Sequence, residues 1–356
     1  MDGPDLVELY RNEGYAIFQN AVRPDTVALL RRELEERLHR TFEKYGFDVP
    51  SALGTPAFGN NTPGRWAALV PSRRPFLSEE VIANPRVIEL LRGVHGSLGS
   101  DYERYAWSLG LIGSDTPVPA APDQFPHRDD RRGCLATANL LLVDVDETMS
   151  PTEIWPGSHL PPGTEFHIGE IPPDGPGDLD RIVAGPAKKI CAPAGTIVIR
   201  DQRLVHRGTA HHGHVLRPMM TFWYQLAGPR DRVPYRWATR FANAARRVTR
   251  GMGVRVKETS PARAAAFWHA HRYGCNVIAM SLSDRDEQLE IPSELWESLS
   301  DDAKGLLRYG CVDHEFSDAY RRARSLPLSV AVMSEGVLRV ARTATAIVLG
   351  RGVPEP

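Results

Sequence analysis

The chain has 356 residues, enough for one large domain or for a domain with an extension. Apolar residues make up 42% and charged residues 24%, ordinary values for a globular protein, and a formal net charge of −1 gives no reason to expect a nucleic acid or a membrane surface as partner. The four cysteines (Cys134, Cys191, Cys275 and Cys311) are widely spaced without a Cys-x-x-Cys, which argues against a disulfide framework or a zinc knuckle and predicts reduced, mostly buried thiols.

Met1 to Leu6 has neither a basic start nor an apolar core, so no signal peptide is expected and a cytoplasmic protein is. Asp5 to Asn12 predicts a short helix and Gly14 to Phe18 a first strand. Arg23-Pro-Asp25 caps a longer helix, Thr26 to Tyr45, whose Val27, Leu29, Leu30, Leu34 and Leu38 share one broad apolar face. Val49 to Arg74 is rich in Pro, Gly, Ser and Asn and reads as a long loop. In it Asn60, Asn61 and Arg65 are ordinary turn residues on the simpler reading and the lining of a substrate mouth on the other. Ser78 to Leu98 predicts a helix pair with Val81, Ile82, Val87, Ile88, Leu90 and Leu91 as core, and Tyr105 to Ile112 a strand.

A Pro-rich turn then leads to Gln124-Phe-Pro-His-Arg-Asp129, which pairs with Asp201-Gln-Arg-Leu-Val-His206 about eighty residues on. On extended backbone, side chains two apart point the same way. His127 and Asp129 can therefore face one ion while Arg128 points away, and His206 completes the set if its strand end lies alongside. Two imidazoles and one carboxylate form the facial triad that holds Fe(II) and leaves three positions open. His-x-Asp alone is weak, and a solvated surface turn explains an isolated match. Its surroundings strengthen it. Leu135 to Val145 reads as a buried strand, Ser150 to His159 is turn-rich, and the β-branched Gly195 to Arg200 leads directly into Asp201. Arg217 stands before the strand-like Met219 to Tyr224, where a guanidinium can grip a carboxylate through two parallel hydrogen bonds.

Three pieces resemble the phytanoyl-CoA dioxygenase-like family of Fe(II)/2-oxoglutarate oxygenases. They are Gln124-x-Pro-His-x-Asp129, Pro151-Thr-Glu-Ile-Trp-Pro-Gly-Ser-His159, and Asp201-x-x-Leu-x-His-Arg-Gly-Thr209 followed by Arg217-Pro-Met. The resemblance covers roughly residues 5 to 227. It implies a mainly β core with flanking helices, a double-stranded β-helix (jelly roll, cupin-like), over residues 1–227. It implies Fe(II) held by His127, Asp129 and His206, with 2-oxoglutarate and O2 as cosubstrates and Arg217 on the distal carboxylate. It also places Asn139, Thr137 and Gln124 at the cosubstrate. Because a carboxylate, Asp129, fills the place that halide takes in related halogenases, oxygenation is expected. His211 stands where many relatives have Asn, which touches local loop detail but not the triad.

Pro161 to Pro186 reads as a loop-like insert, and Phe222-Trp-Tyr224 as core aromatics closing the barrel. His159 is assigned to structure and not to the metal. From residue 228 to 356 the chain turns helical, with helices expected at Trp237–Val248, Pro261–Arg272, Ser293–Tyr309 and Phe316–Arg324. This extension carries no motif; it either covers the barrel mouth or mediates homodimerisation. Leu326 to Leu349 is apolar but interrupted by Glu335, Arg339 and Arg342, which argues against a transmembrane helix. The expected activity is oxidation, most simply hydroxylation, of an unactivated C–H in a small molecule of secondary metabolism, with release of succinate and CO2. A Zn or Mn cupin would need a fourth ligand or an activated water and gives Arg217 no purpose. A non-catalytic binding relative would have no need of an intact triad.

Overall fold

The structure, a computed structural model, describes residues 3–45, 65–69, 73–131, 135–229, 232–234 and 291–311. Helices α1 (Gly3–Glu13) and α2 (Pro24–Tyr45) bracket strand β1 (Tyr15–Phe18). After β2 (Arg65–Leu69) come α3 (Glu79–Ile82) and α4 (Pro85–Gly96), and then the long β3 (Ala106–Pro117). The next elements are β4 (Leu135–Leu141), β5 (Thr152–Ile154), α5 (Asp178–Val183), β6 (Lys188–Ile190), β7 (Ile197–Asp201), β8 (His206–Gly208) and β9 (Met219–Ala227). A last group holds β10 (Arg232–Pro234), α6 (Ser293–Glu297), α7 (Asp301–Arg308) and β11 (Tyr309–Cys311).

The strands are antiparallel. Six form one sheet in the order β1-β7-β4-β9-β3-β2, and three form a second in the order β6-β5-β8. Period-2 alternation sorts the larger sheet into two faces. Ala136, Ala138 and Leu140 of β4, Ile197 and Ile199 of β7, and Met220, Phe222 and Tyr224 of β9 join one core with α2 and α4. The intervening residues of β4, Thr137, Asn139 and Leu141, face the other way. Asn139, Leu141 and Val198 line a cavity with Thr152 and Ile154 of the smaller sheet.

Helix α2 seats Val27, Leu30 and Leu34, a 3-then-4 spacing that keeps one stripe on the core. Leu29, expected on that face, is 42% exposed instead, because an apolar stripe this narrow excludes its neighbour. Helix α4 has its N-terminal N–H groups capped by Asn84, whose side-chain oxygen accepts from the Arg86 amide, and carries Pro85 in its first turn.

The expected long loop is in part a strand. Arg65–Leu69 pairs with Gly113–Pro117, since β3 runs past its expected end at Ile112 and needs an edge partner. The insert 161–186 contains the short helix α5, and the expected helix over Ser293 to Tyr309 is broken at Ser298 to Ser300 and ends in β11. Leu295, Leu299, Ala303, Leu306 and Leu307 enter the same core as α2 and α4, so residues 291–311 pack on the main body. The helices expected at 237–248, 261–272 and 316–324, and the segment 326–349, lie outside the described residues. Among the described residues no helix is long and apolar enough to cross a membrane. Cys191 is exposed, against the expectation of mostly buried thiols, because it lies between the short strand β6 and the turn that opens β7.

Candidate functional site

His127 and His206 face each other as an isolated antiparallel bridge, each main-chain N–H donating to the other's carbonyl at 3.0 Å. A paired position puts both side chains on one face. Their ring centroids lie 4.5 Å apart. Asp129, two residues on, is anchored by its own N–H to the Gln202 carbonyl at 3.1 Å, and its side chain turns to the same point. The ligand atoms of His127, Asp129 and His206 all lie within 4.8 Å of one another. Asp129 Oδ1 is 3.6 Å from His127 Nε2 and 3.5 Å from His206 Nε2.

The outer atoms of these side chains are fixed. His127 Nδ1 bonds the Phe125 carbonyl at 2.8 Å, and His206 Nδ1 the Leu204 carbonyl at 3.0 Å. A carbonyl can only accept, so each Nδ1 carries the proton and each Nε2 turns its lone pair inward. The second oxygen of Asp129, Oδ2, accepts from Arg200 Nη2 at 2.6 Å. Burial would raise this carboxyl, but the Arg200 guanidinium outweighs it and holds it well below the ordinary carboxylate range. Burial, with Arg200 adding to it, pushes His206 down to about 4, so its imidazole is neutral at neutral pH. Two inward lone pairs and one ionised oxygen are a donor set that fits a divalent iron, with no thiolate in the group among the described residues.

The elements around the triad are held by buried charge. Arg203, fully buried, grips Asp201 through Nε to Oδ1 at 3.0 Å and Nη2 to Oδ2 at 2.7 Å, locking the turn that delivers His206. Arg128 points away as its parity requires; it bonds Asp174 and the Ser158 and Arg203 carbonyls. Gln124 lies on the other side of β8. Its amide N–H donates to the Gly208 carbonyl and its Oε1 accepts the Gly208 N–H, both at 2.9 Å, so this oxygen is committed to the strand. His159 is buried and bonds the Arg11 carbonyl at 3.0 Å, away from the metal set. Gly14 holds φ +81° where a Cβ would come 2.7 Å from His159 Nδ1.

Of the cosubstrate residues expected from sequence, Asn139 and Arg217 line one cavity, with Tyr15, Thr152, Ile154 and Arg200; Thr137 and Gln124 are not among its lining residues. Arg217 is 1% exposed, with Nε and Nη2 buried and unpartnered while Nη1 contacts Met219 Sδ at 3.3 Å. Burial and the nearby Arg65 lower it to about 10. A buried guanidinium with an empty fork fits a carboxylate arriving from outside the chain. Thr137 Oγ1 is likewise buried without a partner, while Asn139 Nδ2 donates to Thr221 Oγ1 at 2.9 Å. Arg65, read from sequence as a turn residue or mouth residue, is neither: it is buried, bonding Ser150 Oγ at 2.7 Å and Asp115 at 3.4 Å.

The sequence profile of the family described as phytanoyl-CoA dioxygenase (PhyH) matches residues 10–219. The chain belongs to the phytanoyl-CoA dioxygenase family. With that family it is a non-haem iron, 2-oxoglutarate-dependent dioxygenase using Fe(II), 2-oxoglutarate and O2. Solved structures similar to this phytanoyl-CoA dioxygenase family member include AviO1 from Streptomyces viridochromogenes Tue57, at 21% identity and TM-score 0.46, covering 64% of this chain and 97% of that one. EctD from S. alaskensis with 2-oxoglutarate and 5-hydroxyectoine matches at 16% identity and TM-score 0.45, over 63% of this chain and 77% of its own. HygX from Streptomyces hygroscopicus with nickel, 2-oxoglutarate and hygromycin B bound matches at 11% identity and TM-score 0.44, over 62% and 86%.

The sequence reading gave no site role to Arg200. The available signal was its parity. It follows Val198 by two in a fully buried strand, and a cation facing inward from such a run requires an anionic partner.

Proposed function

We propose that the protein hydroxylates an unactivated C–H bond of a small molecule of secondary metabolism, releasing succinate and CO2. His127, Asp129 and His206 would hold the iron, and Arg217 the distal carboxylate of 2-oxoglutarate. The observation that carries this reading is the convergence of two inward Nε2 lone pairs and one Asp129 oxygen on a single point beside the cavity that Arg217 lines. The iron, when bound, would activate dioxygen, the oxidant, which takes two electrons from the keto acid and two from the C–H bond. The protein's own part is placement. The Nδ1 bonds fix both imidazoles, Arg200 keeps Asp129 ionised, and Asn139 lines the cosubstrate cavity with Arg200 and Arg217. Gln124 contributes through β8, holding the strand that carries His206.

The two sheets support a jelly roll, with the His127–His206 bridge adding a fourth rung beside β6-β5-β8. We take residues 1–227 as that barrel domain. We take residues 228–356 as an extension, of which the described residues 291–311 pack on that domain through Leu295 and Leu306 in the shared core. The test is turnover of 2-oxoglutarate in air with Fe(II), first alone and then with candidate small molecules, reading succinate and the product mass. Succinate formation, with a one-oxygen mass gain in an accepted substrate, is expected. Absence of succinate under every condition would refute the reading.

A further inference from the structure

Arg200 is 7% exposed in its side chain and sits on β7 directly across from Thr137. Only Nη2 is committed, to Asp129 Oδ2. Its Nε and Nη1 are buried and have no partner, although a guanidinium carries five N–H donors. Thr137 Oγ1, on the neighbouring strand at the same rung, is also without a partner. Arg200 lines the same cavity as Arg217.

The register orders these groups along the cavity. Arg200 stands at the rung of Thr137, at the Asp129 end. Asn139 follows one inward position later, between Val198 and Thr221. Arg217 lies beyond the rung that pairs Leu141 with Met219. One buried cation therefore stands at each end of the cavity, with Asn139 and Thr152 set among the apolar Leu141, Ile154, Ile190 and Val198 between them. Asp129 neutralises one of them, Arg200, and leaves Arg217 as the uncompensated charge; what Arg200 still offers is its unpartnered Nε and Nη1, so both ends present N–H donors to a ligand with an acid group at each end.

We propose that Arg200 is a second carboxylate clamp: it holds Asp129 by one oxygen, so that the other is free for the metal, and its remaining N–H groups grip the cosubstrate carboxylate that lies beside the metal. This inference rests on the 2-oxoglutarate reading above and adds a residue and an end-to-end polarity to it. Arg217 then takes the far carboxylate and Arg200 the near one, and the near-end contact belongs to any acid that carries an oxalyl unit.

The experiment titrates Fe(II)-loaded protein without oxygen, using 2-oxoglutarate and oxalate as probes and following the visible charge-transfer band for 2-oxoglutarate and calorimetry for oxalate. Arg200→Gln should weaken both probes about tenfold or more and shift the 2-oxoglutarate band, as expected for losing a charged hydrogen bond. Arg217→Gln should weaken 2-oxoglutarate and leave oxalate unchanged. Arg200→Lys keeps the charge but not the fork, and should fall between wild type and Arg200→Gln; it also serves if the Gln variant does not fold. Iron affinity is measured in the absence of acid. If Arg200→Gln, or Arg200→Lys in its place, binds oxalate within twofold of wild type once loaded with iron, the clamp is refuted, even if iron affinity itself has dropped. If wild-type protein gives no band with 2-oxoglutarate, the underlying cosubstrate reading fails, and the inference falls with it; a normal wild-type band with unaltered variants refutes Arg200 alone.

Discussion

Asp129 carries the sharpest consequence at the level of single residues. Its two oxygens are divided: Oδ1 faces the histidines and Oδ2 faces Arg200. Asp129→Ala removes the anionic ligand and the partner of Arg200 together. Hydroxylation should vanish, while wild-type rates in that variant would show that the triad is misassigned. His211 gives a pH prediction. Burial, reinforced by Arg217, lowers it to about 4, with its Nδ1 accepting from the Gly213 amide at 3.1 Å. The folded protein keeps this ring neutral while the unfolded chain protonates it near pH 6.5. More protons are then bound unfolded than folded, so stability is lost as pH falls from about 6.5 toward about 4. Linkage puts the loss from this one group at up to about 2 kcal/mol between pH 7.5 and 5. In His211→Asn the drop in denaturation midpoint over that range should be smaller by that amount; an identical drop would remove His211 from the account. The His-x-Asp pair was legible because strand parity alone aims two side chains at one point. Arg200 was legible only as far as parity, which puts it on the Val198 side of its strand; that its guanidinium turns in to Asp129 depends on the register of the partner strand.

Among the elements, the turn between β7 and β8 is the most exposed to a single change. Arg203 and Asp201 are buried and bonded twice, and they hold the turn 202–205 that leads to His206. Arg203→Met leaves a buried aspartate uncompensated and should cost about 3–5 kcal/mol. Adding Asp201→Leu should recover much of that loss in denaturant midpoint. A double variant less stable than the single one would mean that the pair does not act as a unit. Helix α2 offers a control on the core. Leu30 is fully buried and Leu29 is 42% exposed. Leu30→Ala should cost roughly 2–5 kcal/mol and Leu29→Ala within about 0.5. Equal costs would misplace the stripe. The face of α2 could be read to within one residue from its period. Strand β2 could not: Arg-Trp-Ala-Ala-Leu sits among Pro, Gly and Asn, and only the overhanging end of β3, from Gly113 on, makes it a strand. Gly208 on β8 shows another tertiary constraint. A Cβ there would meet the Arg65 guanidinium at 1.9 Å, so the glycine is required by a residue 143 positions away in the chain.

Across the whole molecule, the six-stranded and three-stranded sheets meet around the cavity and the helical layer covers the opposite face of the larger sheet, without a separate binding domain among the described residues. The carboxyl-terminal third carries no motif, and sequence could not say where it packs. Residues 291–311 answer for their own part by adding Leu295, Leu299 and Leu306 to the main core. Ligation by iron and 2-oxoglutarate couples to folding as any native-state ligand does, by about 2.7 kcal/mol at a hundredfold excess over Kd. Anaerobic Fe(II) with 2-oxoglutarate should therefore raise the wild-type melting temperature by several degrees and leave Asp129→Ala unmoved. The central claim is that His127, Asp129 and His206 share one iron. A crystal grown anaerobically with Fe(II) and 2-oxoglutarate, measured on both sides of the iron edge, tests it directly. The account predicts a single anomalous peak within bonding distance of His127 Nε2, Asp129 Oδ1 and His206 Nε2. Iron bound by any other set of side chains would contradict it.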